Sequence, residues 1–196
     1  MDRNRVNRPG NKRNRGEDIR ENKLYCPNTF GDDCPFNVSV LRDVERGTVI
    51  PGKYYHFVRK RAESETTKYR SDMYEKREEE HGWMVDLYRH WGVDDENSRE
   101  FLARRYIERV LGCVENVTNK SCTLSTAEKK REIRKIITDP KVKELLPVMR
   151  AQSSYMKIML IPIRMQSTAL TYLEGSFISR VKSGNVKLFA KLKAKR

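Results

Sequence analysis

The placement of positive charge constrains this chain more than any other feature, because residues that repel one another do not join a hydrophobic core. The 196 residues include 41 lysines and arginines against 27 acids, a formal net charge of +14. Residues 1–15 contribute +5 and residues 180–196 contribute +7, which leaves +2 for residues 16–179. A like-charged segment buries too little apolar area to offset the entropy lost on ordering. We therefore expect two cationic tails, the first of them disordered, on either side of a nearly neutral folded body.

The composition of the body favours a modest core inside a polar surface. Hydrophobic residues make up 37% of the chain and charged residues 35%, and this length suits one domain. Residues 1–15 lack the apolar stretch of a secretory signal. The longest apolar stretch, residues 156–165, is about half of what spans a bilayer. These features predict an intracellular protein, in the cytoplasm, the nucleus or a virion, that is not secreted.

The first third of the body has the apolar spacing of strands. Phe36, Val38 and Val40 alternate with polar residues, the period of a half-buried strand. Turn signals follow at residues 46–47 and 51–52, and residues 54–59 are rich in aromatic side chains. This segment predicts a small β-hairpin or three-stranded meander.

From residue 63 onward the apolar spacing becomes that of helices. Ser125 and Glu128 fit a capping box, and Asp139 followed by Pro140 fits a helix start. Proline at 147 and 162 should break or kink the chain. Helices are predicted over residues 66–91 with a disturbance at Gly82, from Asp94 or Asp95 to Gly112, from Ser125, from Asp139, and over residues 163–181.

These elements predict a mostly α fold with a small β-hairpin or meander, an α+β class. The expected divisions are a basic tail and linker over 1–22, a cysteine loop and hairpin over 23–61, a helical bundle over 62–182 and a basic tail over 183–196.

Four cysteines form two pairs, Cys26 with Cys34 and Cys113 with Cys122, which have seven and eight residues between their members. Structural zinc sites usually draw each pair of ligands from a knuckle with two to four residues between them. Ordinary reduced cysteines at loop edges are therefore favoured. A zinc-organised domain that combines both pairs is an alternative, with His56, His81 and His90 as reserve ligands.

Three glycosylation sequons, at Asn37, Asn116 and Asn119, raise another alternative, a secreted glycoprotein with disulfides. A chain of this length and asparagine content carries about one or two sequons by chance, and no signal directs it to an oxidising compartment. This alternative is therefore disfavoured.

Residues 53–61, with the sequence KYYHFVRKR, interleave aromatic rings with cations. One face of a strand there can pack while the other offers rings on which bases stack. The tails add cations that neutralise phosphates. The candidate nucleic-acid-binding residues are Arg3, Arg5, Arg8, Lys12, Arg13, Arg15, Lys53, Tyr54, Tyr55, Arg59, Lys60, Arg61, Lys187, Lys191, Lys193, Lys195 and Arg196.

Catalytic motifs are missing from the sequence. His81 and His90 are nine residues apart, so they do not share a helix face as paired metal ligands do. No glycine-rich phosphate loop, serine elbow or paired-carboxylate motif occurs in the sequence. We expect no enzymatic activity.

Four methionines, at 149, 156, 159 and 165, fall close together among aliphatic residues. Methionine suits an irregular core or an adaptable interface, and the core is favoured. If this segment is exposed, copies of the chain or a partner helix should join there.

The layout of basic tails around a helical body is similar to that of small viral nucleocapsid or RNA-binding accessory proteins, although no motif supports more than this similarity of layout. The sequence predicts a non-enzymatic nucleic-acid-binding protein that self-associates, with RNA or another single-stranded nucleic acid as partner, weak sequence preference and no cofactor unless zinc. The alternative is a peripheral membrane or matrix-type assembly protein whose tails bind anionic lipid.

Overall fold

The computed structural model describes residues 16–21, 23–24, 33–44 and 68–184. The described residues form eight helices and no strand, which confirms the mostly helical prediction. The helices are α1 (Gly16–Glu21), α2 (Asp33–Arg42), α3 (Met73–His90), α4 (Glu96–Val117), α5 (Thr126–Ile137), α6 (Pro140–Val148), α7 (Ser154–Arg164) and α8 (Thr168–Gly184). None of these helices is long and apolar enough to cross a membrane.

The chain divides into two compact units, one of residues 1–62 and 78–94 and the other of residues 63–77 and 95–196. The predicted boundaries at residues 22, 61 and 182 are not tested by this division and stay predictions.

The strand predicted from Phe36, Val38 and Val40 is wrong, because these residues lie in helix α2. The most buried side chains of α2 are Cys34 and Asn37, three residues apart, which is the spacing of one helix face. Pro35 is tolerated because it lies in the first turn, where its missing amide has no helical acceptor. A short apolar alternation was therefore misleading, and the rest of the predicted hairpin, residues 45–61, lies outside the described residues.

The predicted start of helix α3 at residue 66 is wrong, because residues 68–72 are not helical and α3 begins at Met73. Helix α3 ends where Gly92 predicted it would. Gly92 has a φ of +63°, its amide donates to the Arg89 carbonyl, and the Val93 amide donates to the Tyr88 carbonyl. This is a Schellman motif, whose left-handed residue favours glycine. Gly82 lies inside α3 and does not interrupt it. In the first unit, the Trp91 indole N–H donates to the Arg42 carbonyl at 2.9 Å, so the ends of α2 and α3 are joined.

Helix α4 begins as predicted and ends later than predicted. The Asp95 carboxylate accepts from the amides of Asn97 and Ser98, the bonds of an N-cap. The predicted end at Gly112 is wrong, since α4 continues to Val117. Glycine inside a helix costs only about 1 kcal/mol. Burial of the apolar residues on both sides of Gly112 exceeds this cost, because each contributes about 1.5 to 3 kcal/mol.

The starts of α5 and α6 follow the predicted capping signals. Ser125 and Glu128 form a complete capping box, and the Asp139 carboxylate accepts from the Lys141 amide with Pro140 in the first turn. Helix α6 ends one residue after Pro147, whereas α7 continues for two residues past Pro162. The predicted last helix from residue 163 is wrong at its start, because α7 ends at Arg164 and α8 begins at Thr168.

The core of the second unit forms around α4, which packs against α5, α6 and α8. Helix α8 closely approaches the end of α4 at Gly175, where an added Cβ would lie 2.9 Å from the Thr118 hydroxyl oxygen. Only the absence of a side chain at 175 allows this approach. The side chains that are fully buried in this core include Tyr106, Ile107, Ile133, Ile137, Leu160 and Ile163.

Asn116 attaches residues 68–72 to the end of α4. Its amide oxygen accepts from the Arg70 backbone amide at 3.0 Å, and its amide nitrogen donates to the Arg70 carbonyl at 2.7 Å. The side chain is buried at 8% exposure. A segment without regular structure thus obtains, from one side chain, hydrogen bonds like those of a neighbouring strand.

Candidate interaction surfaces

The residues predicted to bind nucleic acid lie outside the described residues. They fall in residues 1–15, 53–61 and 187–196, and their role stays a prediction. The described residues nevertheless contain cations on α5 and exposed apolar side chains on α8 that the sequence did not single out as sites.

Three of the four cysteines are described, and each is buried. Cys34 lies in α2 and Cys113 in α4, which corrects the expectation that both lie at loop edges. Cys122 lies in the loop before α5, where its sulfur is hydrogen-bonded with the Tyr69 hydroxyl. Burial raises the pKa of the Tyr69 phenol, and Cys122 raises it further. Cys26 lies outside the described residues.

Metal-binding geometry is not found in the described part of the chain, where no three cysteine, histidine or acidic side chains converge. His81 is buried in α3, and His90 is bonded to the Asp43 carboxylate at 3.0 Å. His56, the remaining reserve ligand, lies outside the described residues. The zinc alternative therefore obtains no support from the described histidines and cysteines.

Two of the three sequons have buried asparagines, with Asn37 at 1% and Asn116 at 8% exposure. A glycan would have to attach to the Asn116 amide nitrogen, which donates to the Arg70 carbonyl, so this hydrogen bond would have to break. These two positions fit a role in packing, as the Asn116 hydrogen bonds show.

Helix α5 carries the most concentrated positive charge of the described residues. Its buried side is formed by Ile133, Ile136 and Ile137. Its five cations lie outside this stripe, with Lys130, Arg131, Arg134 and Lys135 exposed and Lys129 half-buried. We call these five residues the α5 cationic face. The amphipathic pattern of α5 places these cations toward solvent, because the isoleucines occupy the side that packs on α4 and α8.

Neighbouring groups orient part of the α5 cationic face. The Lys130 ammonium lies 5.7 Å from the centre of the Tyr172 ring, within the range of a cation–π contact. Hydrogen bonds with Thr126 and Ser176 lower the pKa of the Tyr172 phenol, and the charges of Lys129 and Lys130 lower it further. Lys135 is 3.5 Å from the Glu75 carboxylate. An aromatic ring beside several cations is a surface on which phosphates and bases can both be bound.

Six large apolar side chains of α7 and α8 face solvent. On α7 and at its C-cap they are Ile158, Ile161 and Met165, at 60%, 52% and 63% exposure. On α8 they are Leu170, Leu173 and Phe177, at 43%, 61% and 66% exposure. We call them the α7 row and the α8 row. Each row has the i, i+3, i+7 spacing of a helix face that packs against another helix.

The methionine cluster divides between core and surface. Met149, Met156 and Met159 are buried at 3% to 5% exposure, as favoured by the sequence, whereas Met165 is exposed. The branched residues between them, Ile158 and Ile161, supply the rest of the exposed row. The signal that could have found both rows is the repeated spacing of three and four residues along 158–165 and 170–177.

A groove of about 340 Å³ lies beside α6 and the end of α7. Its lining is Ile137, Val142, Lys143, Leu146, Pro147, Ile163, Arg164 and Gln166. These side chains offer apolar contact and two cations but no nucleophile beside a base, the arrangement that covalent catalysis needs.

Comparison with known proteins gives no match, since no family model, no curated protein and no solved structure is detectably similar to this chain.

Proposed function

We propose that this protein is a non-enzymatic nucleic-acid-binding protein with RNA as its partner and with weak sequence preference. The observation that carries the proposal is the exposed α5 cationic face, on a chain whose two ends add +5 and +7. Lysine and arginine bind the phosphates of any nucleic acid, so this binding carries little sequence information. The interleaved rings and cations of residues 53–61 would add base stacking.

Salt dependence is the direct test of phosphate binding. If about 6 to 10 phosphates are neutralised, the affinity for RNA should fall by three or more decades between low and physiological salt. Fluorescence anisotropy with a labelled single-stranded RNA measures this slope. A plot of log affinity against log salt with little slope would contradict the proposal.

The contribution of α5 can be separated from that of general charge. Arg131→Gln with Arg134→Gln removes two exposed cations from the α5 cationic face. Each lost phosphate contact should lower the salt slope by about 0.7 for a single strand. Lys157→Gln with Arg164→Gln is the matched control, because it removes two exposed cations from α7.

We expect the α5 variant to lower the slope by about 1.4 and the α7 control to leave it nearly unchanged. Equal losses in both variants would mean that α5 holds no specific phosphate contacts.

Replacing Arg3, Arg5 and Arg8 with glutamine tests the first tail in the same assay, with an expected loss of about 2 in slope. Competition with unlabelled anionic vesicles distinguishes RNA from lipid as the partner. A lipid-binding protein would move to the vesicles and release the labelled RNA.

A further inference from the structure

The α7 and α8 rows leave a large apolar area in water. A large apolar side chain has an area on the order of 200 Å². Six of them at 43% to 66% exposure therefore present about 700 Å², close to the roughly 800 Å² that each partner contributes to a standard interface. An area of this size is more than single exposed leucines explain, and it indicates a site for a protein partner.

The two rows lie on helices that pack against each other. Met165 ends the α7 row and Leu170 begins the α8 row, on either side of the short connection between the helices. The end of one row and the start of the other are therefore only five residues apart in the chain. Because each row has the same spacing, a pair of helices with the same pattern fits them.

We infer that a second copy of this chain covers the α7 and α8 rows. In a two-fold dimer the same surface is used by both partners, so each copy supplies a matching pair of helices. Four helices then enclose both sets of rows, the arrangement of a helical bundle. The area presented by one copy is what a stable dimer needs from each partner.

The charges beside the rows give this contact an unusual dependence on salt. Lys157, Arg164 and Arg180 are exposed on the same two helices. A symmetric contact brings the cationic helices of the two copies close together, and the repulsion between them weakens as the Debye length falls from about 10 Å at 0.1 M salt to about 3 Å at 1 M. Apolar contact is not weakened by such screening. Dimerisation should therefore strengthen with salt, whereas association bridged by RNA should weaken.

Sedimentation velocity of the full-length, nuclease-treated chain at about 50 µM, in about 0.15 M and 1 M sodium chloride, tests the inference. We expect a species of twice 23.1 kDa whose fraction rises with salt. Leu173→Glu with Phe177→Glu should weaken association at least tenfold at both salt concentrations. Ile158→Glu tests the α7 row separately, and Val148→Glu, on α6 at 42% exposure, is the control that should leave the dimer intact.

Thermal melting by circular dichroism establishes that each variant is folded, and the exposure of the substituted residues favours this. A chain that remains at 23.1 kDa in 1 M salt would overturn the inference. A dimer that the row variants do not weaken, or one that high salt dissociates, would overturn it as well.

Discussion

Replacing Asn116 with aspartate exchanges one NH₂ group for an oxygen and changes the shape of the side chain very little. In the native chain the amide nitrogen donates to the Arg70 carbonyl at 2.7 Å, while the amide oxygen accepts from the Arg70 amide at 3.0 Å. The substitution keeps the acceptor and removes the donor. A carboxylate oxygen then faces a carbonyl oxygen at a position that is only 8% exposed.

The expected loss of stability at pH 7 follows from these two changes. A buried carbonyl without its donor costs about 1 to 3 kcal/mol, and the carboxylate beside it adds a desolvation penalty. We expect a total of about 2 to 4 kcal/mol. With about 2 kcal/mol/M for the dependence on urea, the unfolding midpoint should fall by about 1 to 2 M.

The loss should depend on pH. Burial and the facing carbonyl raise the pKa of the introduced carboxyl in the folded state above its unfolded value of about 3.9. Stability is therefore lost above the folded pKa and recovered as the pH falls below it, since the protonated carboxyl can again donate to the Arg70 carbonyl. Urea unfolding followed by circular dichroism at pH 7 and pH 4.5 measures the recovery.

Asn119→Asp is the matched control, because the Asn119 oxygen accepts from the Ser121 amide and hydroxyl, both at 2.9 Å, and a carboxylate also accepts. It should cost less than about 0.5 kcal/mol. A loss below about 0.5 kcal/mol for Asn116→Asp, or a loss equal to that of the control, would refute the argument that the donated bond to Arg70 holds residues 68–72 in place.

Four further substitutions test other parts of the structure. Gly175→Ala should lower the free energy of unfolding by about 1 to 2 kcal/mol, because its Cβ would lie 2.9 Å from the Thr118 hydroxyl oxygen. The Cβ of Gly112→Ala meets nothing within 4 Å. Gly112→Ala should therefore raise the free energy of unfolding by up to about 1 kcal/mol. Chemical unfolding measures both, and a stabilising Gly175→Ala would contradict the close approach. Burial raises the pKa of Glu174 to about 7 from its ordinary value of 4.5. The native side chain therefore lowers stability above pH 7 and not below pH 4.5. Glu174→Gln should raise the melting temperature at pH 8 and leave it unchanged at pH 4. Ser125→Ala should lower stability by about 1 kcal/mol through loss of the α5 capping box, and an unchanged melting curve would exclude that role.

The starts of α4, α5 and α6 were the most predictable part of this fold. Asp95, Ser125 and Asp139 each cap a helix at the predicted position. A cap depends on bonds within one turn of the chain, so the local sequence contains all of its partners. The Schellman motif at Gly92 was predictable for the same reason.

The candidate sites were predictable to a smaller degree. The charge of the two ends follows from composition, and the residues that carry it lie outside the described part of the chain. The α5 helix was predicted with its isoleucine stripe, yet its cations were not recognised as a surface. For the methionine segment the sequence favoured burial, which Met165 contradicts at 63% exposure.

The sequence by itself determined that this chain is mostly helical, where several helices begin, and that positive charge gathers at its ends, because propensity, capping and charge are properties of neighbouring residues. Tertiary structure decided that residues 33–42 are a helix, that α4 continues past Gly112, and that Met156 is buried while Met165 faces solvent. Each of these outcomes depends on packing against residues distant in the chain, and packing energies exceed the local preferences of a short apolar run or a single glycine.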